Sequence, residues 1–197
     1  DGYDDGRRTE VGLVQDQGDQ HQHHQTDGNQ RLTRFTDAVH LAVEDGRGEI
    51  LLPGLVEAHT HLDKSLWGQP WYKNEVGPKL LDKIDNERVN KRRLGIDPYK
   101  QSARQTVQSS LMGSTHIRSH VDVDTDHGMW GIEGVMKMRA DYAEIIDVEI
   151  VAFPQSGLLR RPGTLELMDQ AMKLGSEVVG GLDPCAIDRD PKGHLDA

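Results

Sequence analysis

The rhythm of apolar and polar positions changes near residue 45. From Gln15 to Gln30 the chain reads QDQGDQHQHHQTDGNQ, without a single Leu, Ile, Val or Phe. Such a tract has no apolar surface to set against the entropy of ordering, so residues 1–45 are expected to form a flexible, low-complexity segment. From residue 46 onward apolar runs and turn residues alternate regularly. Ile50 to Ala58 reads as a buried strand, interrupted near its start by Pro53 and Gly54. A long polar excursion follows, with Trp67, Trp71 and Tyr72, and then the charged helical piece KLLDKIDNERVNKRR.

Asp97-Pro98 supplies an N-cap and a proline at the first helical position. Ala103, Val107 and Leu111 recur at helical spacing, and Gly113 closes that helix. THIRSHVDV, Thr115 to Val123, alternates as a strand does. A helix around Ile132 to Tyr142 and the strand VEIVAFP, Val148 to Pro154, come next. Thr164 is placed to cap a further helix that turns Leu165, Met168 and Met172 inward and ends at Gly175. Val178 to Leu182 completes the series as a fourth strand.

Strands and helices thus alternate, which predicts parallel strands joined by right-handed crossovers. No G-x-G-x-x-G follows a strand, which argues against a dinucleotide-binding sheet. Each strand instead ends in polar side chains: His59, His61 and Asp63; His120, Asp122 and Asp124; Gln155; Asp183. Barrel enzymes keep their sites at the carboxyl ends of parallel strands, so the predicted fold is α/β, a partial (β/α)8 barrel of about four βα units.

Charge and composition narrow the partners. The 197 residues carry a net charge of −10 and are 35% hydrophobic. An acidic surface repels nucleic-acid and anionic lipid phosphates, so neither nucleic acid nor membrane is an expected partner. The one cysteine, Cys185, excludes an internal disulfide and fits the cytoplasm, where thiols stay reduced. No base stands near it in the sequence, and it is expected to be a small, partly buried structural residue.

His59 and His61 carry the candidate chemistry. Alternate residues of a strand lie ~6–7 Å apart and point the same way, so two imidazoles at that spacing can converge on one divalent ion. The plainer alternative is a pair of polar residues hydrogen-bonded in a wet turn. His21, His23 and His24 could also capture a metal adventitiously. On THIRSHVDV, His116, Arg118, His120, Asp122 and Asp124 share one face, opposite Ile117, Val121 and Val123. Deep in the strand, Arg118 is expected to pair with a carboxylate and His116 to form a hydrogen bond. His120 and Asp122, near its end, are candidates for contact with substrate. Gln155, donor and acceptor together, suits the amide or amidine edge of a heterocycle. Trp67, Trp71 and Tyr72 could wall a pocket or pack the long loop against the barrel top.

Taken together, LPGLVEAHTHLDK, HIRSHVDV, EIVAFPQSG and GGLDP, in this order, resemble the cytosine deaminase-like branch of the amidohydrolase superfamily, with its N-isopropylammelide amidohydrolase-like members. The resemblance runs from Glu49 to Ala197. It implies a (β/α)8 barrel and hydrolysis of a C–N bond in cytosine, another aminopyrimidine or a triazine. Water activated by one divalent metal, zinc or iron, would be the attacking species. By the same resemblance His59 and His61 are the first two metal ligands, Gln155 contacts the substrate, and Lys64 stands where triazine-type relatives carry lysine. The family's third histidine ligand and its proton-shuttling glutamate belong to a fifth strand that this sequence does not reach. The chain is therefore expected to hold the N-terminal half of a barrel, 46–197, and part of a site. The rival expectation is a non-catalytic half-barrel that needs a partner, or a second copy of itself, to fold.

Overall fold

The computed structural model describes residues 45–197. The His21–His24 tract, and all but the last residue of the segment 1–45, lie outside the described residues. The chain divides at Pro53/Gly54. In the first unit the described residues form a turn, in which the Glu49 N–H donates to Gly46 O at 2.8 Å and the Arg47 N–H to the Asp45 side chain at 2.9 Å.

The second unit carries every strand and helix named here. Its strands are β1 (Leu55–Thr60), β2 (Ser114–Asp122), β3 (Asp147–Phe153) and β4 (Val178–Val179). They form one sheet in the order β1-β2-β3-β4, with all neighbours parallel. The helices are α1 (Leu80–Arg93), α2 (Pro98–Leu111), α3 (Trp130–Asp141), α4 (Thr164–Leu174) and the short α5 (Pro191–Asp196). Helices between parallel strands are what a βαβ series demands, and the α/β, parallel-strand expectation holds.

Local sequence explains most boundaries. The Asp97 side chain accepts from the Lys100 N–H at the start of α2, with Pro98 at the first helical position. Gly113, at φ 95°, turns the chain from α2 into β2, a left-handed conformation that glycine adopts without strain. Gly175 closes α4 in the same way, at φ 115°. The start of α4 differs from expectation. Gly163 occupies the cap position and Thr164 is the buried first residue of the helix, with no cap bond from its side chain. Met168 is buried as expected, whereas Leu165 is exposed on the outer side.

The core lies between the sheet and α3 and α4. Ile117, Val121, Val148, Ile150 and Ala152 from β2 and β3 meet Ile132, Val135, Met138, Met168 and Ala171. Alternation along β2 is thus as expected, with Ile117 and Val121 inward. Arg118 pairs with a carboxylate, that of Glu149, as expected, and His116 Nε2 lies 3.1 Å from Asp147, but both side chains are exposed rather than deep. The expectation for β1 needs correction. The strand begins only at Leu55, after Pro53 and Gly54, and it is exposed rather than buried, Leu55 at 61% and Val56 at 65%. An apolar run alone does not tell an edge strand from a central one, because burial is decided by neighbours that the run does not contain. Cys185 is exposed, not partly buried, because it sits in the wide helical turn Pro184–Asp188 on the surface.

Candidate active site at the carboxyl ends of the strands

Because β1, β2 and β3 run parallel, their last residues emerge at one edge of the sheet. His59 and His61 come from the end of β1, His120 and Asp122 from the end of β2, and Phe153 from the end of β3. The rings of His59 and His120 are stacked, with centroids 3.9 Å apart and planes inclined by 15°. The His61 ring is 5.7 Å from that of His59 and 5.9 Å from that of His120. Phe153 closes the apolar side, edge-on to His61 at 5.7 Å and to His120 at 5.4 Å.

After β1 the chain makes a single tight turn, Leu62–Lys64, pinned to β2 by the Leu62 N–H donating to Ser119 Oγ at 3.1 Å. That turn swings Lys64 onto Asp122, at 3.1 Å, while its ammonium also reaches Glu87 of α1 at 2.7 Å. Lys91 of α1 donates to the same oxygen of Asp122. Asp63 is buried beside them and accepts the Asp122 backbone N–H at 3.3 Å. Two lysines and two carboxylates, Asp122 and Glu87, therefore balance within a mostly buried cluster. This is the usual condition for keeping charges away from water.

The two buried aspartates titrate in opposite directions. Burial pushes the Asp63 carboxyl up, and repulsion from Asp122 adds to that. Burial would raise Asp122 as well, but the ammoniums of Lys64 and Lys91 outweigh it and hold Asp122 far below the usual carboxylate range. The lysines answer in kind: burial opposes their charge, yet Asp122 and Glu87 keep Lys64 above its ordinary value. Burial opposes the charge of Lys91 too, but Asp122, Asp63 and Glu87 outweigh it and keep Lys91 above its ordinary value. The two ammoniums thus favour the anionic form of Asp122.

Ligand atoms of His61, Asp63 and Asp122 all lie within 4.8 Å of one another, a candidate site for a metal ion. His61 Nδ1, Asp63 Oδ1, Asp122 Oδ1 and His120 Nδ1 are buried without hydrogen-bond partners. Buried polar atoms are seldom left so, and nitrogen and carboxylate oxygen are the donors that a zinc-like ion takes. His59, expected from sequence as a ligand, lies outside that group, with its ring 5.7 Å from that of His61. The donor set fits a divalent metal.

Not every residue picked from sequence joins this group. Gln155 follows the end of β3, its backbone N–H bonded to Phe153 O at 2.9 Å and its side chain half-buried. Asp183 is exposed, and its carboxylate caps the turn after β4 through the N–H groups of Cys185 and Ala186. Trp67 and Trp71 are exposed, at 58% and 91%, so neither the wall nor the packed loop describes Trp71. Lys91, Glu87 and Phe153 were not picked at all. The i, i+4 spacing of Glu87 and Lys91 was visible, but it reads equally as a solvated helix face.

Comparison with known proteins finds homologues of this chain among enzymes named as amidohydrolases and cytosine deaminases. The N-isopropylammelide isopropyl amidohydrolase of Pseudomonas sp. strain ADP is 29% identical over 165 residues, covering 77% of this chain and 39% of its own length. The crystal structure of N-isopropylammelide isopropylaminohydrolase from Burkholderia multivorans matches with a TM-score of 0.72 and 48% identity, over 79% of this chain and 39% of that one. The 5-methylcytosine deaminase of Klebsiella pneumoniae liganded with 5-fluorocytosine matches with a TM-score of 0.53 and 34% identity, over 66% of this chain and 31% of that one. No family model matches. The chain thus spans well under half the length of the relatives it resembles. Among the described residues, no helix is long and apolar enough to cross a membrane.

Proposed function

We propose that the chain is the metal-binding half of a (β/α)8-barrel hydrolase that cleaves a non-peptide C–N bond in a small nitrogen heterocycle. Cytosine, other aminopyrimidines and triazines are the substrate classes this reading names. The observation that carries it is the convergence of His59, His61, His120 and Asp122 at one sheet edge, with buried ligand atoms lacking partners. The likeness to enzymes named for N-isopropylammelide and 5-methylcytosine points to the same chemistry.

In this reading His59 and His61 hold one divalent ion, zinc or iron, whose chemistry is Lewis-acid activation of water near neutral pH. His120, stacked on His59, fixes the orientation of that ring. Asp122, anionic and held by two ammoniums, accepts a hydrogen bond at the site's floor. Lys64 is already balanced by Asp122 and Glu87, and presents N–H donors toward the strand ends. Phe153 offers an apolar wall to a planar ring. Gln155, with both an amide donor and an acceptor, reads the amidine edge of the heterocycle. A proton-shuttling carboxylate and further metal ligands would be supplied by chain beyond β4.

The test is release of ammonia or alkylamine from cytosine, 5-methylcytosine and N-isopropylammelide, with and without a chelator. The chain joined to a segment that brings those ligands and that carboxylate is expected to turn over one of these, with loss on chelation and recovery on added zinc or iron, whereas the chain alone turns over none. Turnover that a chelator leaves untouched would overturn the metal's role.

A further inference from the structure

Helix α1 sits outside the βα alternation. Two helices, α1 and α2, lie between β1 and β2, and α1 meets the sheet at its carboxyl edge, above the candidate site. Its apolar residues do not hold it there. Of Leu80, Leu81, Ile84 and Val89, only Ile84 is buried, while Leu80 is 51% and Val89 73% exposed. The contact is instead a charged stripe with residues at every third position. Asp85 pairs with Arg161 at 2.8 Å, Arg88 Nε with Asp124 at 2.8 Å, and Lys91 with Asp122.

Residues i, i+3 and i+6 fall along one face of a helix, and Asp122 and Asp124 lie two apart where β2 ends. The two patterns match in order and in sign, one negative and two positive groups facing one positive and two negative. Arg88 adds a bond to Thr125 Oγ1 at 2.8 Å, and His127 Nε2 lies 3.0 Å from Arg88 O. Asp124 is further fixed by Ser156 of the loop after β3. The receiving surface is therefore built and held independently of α1.

We propose that α1 is an ion-pair-latched cover over the strand ends, closed by Asp85, Arg88 and Lys91 and able to swing clear while the sheet stays folded. A helix seated on an apolar face comes away only by exposing core. A helix seated by ion pairs separates into charges that water and salt can solvate, which places it at the low-stability end of the fold. Opening would release Lys64, Asp122 and the rings behind them to a heterocycle, and closing would exclude water from it. What the cover admits rests on the proposed hydrolase reading, whereas its detachment does not.

Hydrogen exchange, followed by mass spectrometry on the full chain, tests the cover directly. In the unmodified protein, raising sodium chloride from about 0.05 to about 1 M should speed exchange across residues 80–93 and leave β2 and β3 unchanged. The Arg88→Gln/Lys91→Met variant should raise α1 exchange by about tenfold or more at low salt, again without change in β2 and β3. Ile84→Ala should raise it less. The proposal is overturned if α1 exchange responds neither to salt nor to the charge variant, or if β2 and β3 exchange faster in step with α1. Neither result depends on metal content or turnover, so failure of the hydrolase reading would be seen separately.

Discussion

Asp122 Oδ1 stands 3.7 Å from His61 Nδ1, and neither buried atom has a hydrogen-bond partner. The other oxygen of the same carboxylate takes both Lys64 and Lys91. One side chain at the end of β2 thus joins the histidine turn to the covering helix.

Replacing Asp122 by Asn leaves two buried ammoniums without their shared anion. Breaking a buried ion pair from one side costs about 3–5 kcal/mol, so D122N should fall by roughly that amount in urea unfolding. A loss within experimental error of zero would mean that the cluster relaxes to water without penalty.

Asp188 gives the pH prediction. Its carboxylate accepts the N–H groups of Leu158, Leu159 and Arg160 and lies 2.6 Å from His194 Nδ1. Burial would raise this carboxyl, but the His194 bond and the three N–H donors outweigh it and hold it below the ordinary value. A carboxyl whose folded pKa is depressed adds stability that is complete above the unfolded value of ~3.9 and is lost as pH falls through the folded one. The stability gap between the unmodified chain and D188N should therefore shrink as pH falls from about 4. A gap that widened in acid would contradict the assignment.

Gly134 lets α3 approach α2. A Cβ there would stand 2.6 Å from Pro98 Cβ and 2.9 Å from the Tyr99 nitrogen, and the second of these is backbone that cannot swing away. Alanine normally favours a helix over glycine by about 1 kcal/mol. Here the overpacking, about 1–3 kcal/mol, should win and G134A should melt at lower temperature. A raised melting temperature would show that α2 and α3 can part freely.

How far these features could be read from residues alone varies with how local their causes are. Asp97-Pro98, Gly113 and Gly175 are local signals, and the helix ends fall where they point. The alternation of β2 is likewise local, and Ile117 and Val121 are inward as expected. The exposure of β1 was not legible, because an apolar run does not say whether it will have two neighbours or one. Gly163 rather than Thr164 caps α4, since the left-handed turn before the helix needs a glycine there. In the site, the His59/His61 pair announces itself by its spacing. Lys91 and Glu87 do not, because a buried charge is recognisable only from its partner, and Asp122 lies 31 residues from Lys91.

The central claim is that His59 and His61 hold a metal, and metal content of the full chain beside its His59→Ala/His61→Ala variant tests it most directly. The account predicts about one equivalent of zinc or iron per chain in the unmodified protein, lost in the variant while the fold persists by circular dichroism. Equal metal in both proteins, or none in either, would contradict it.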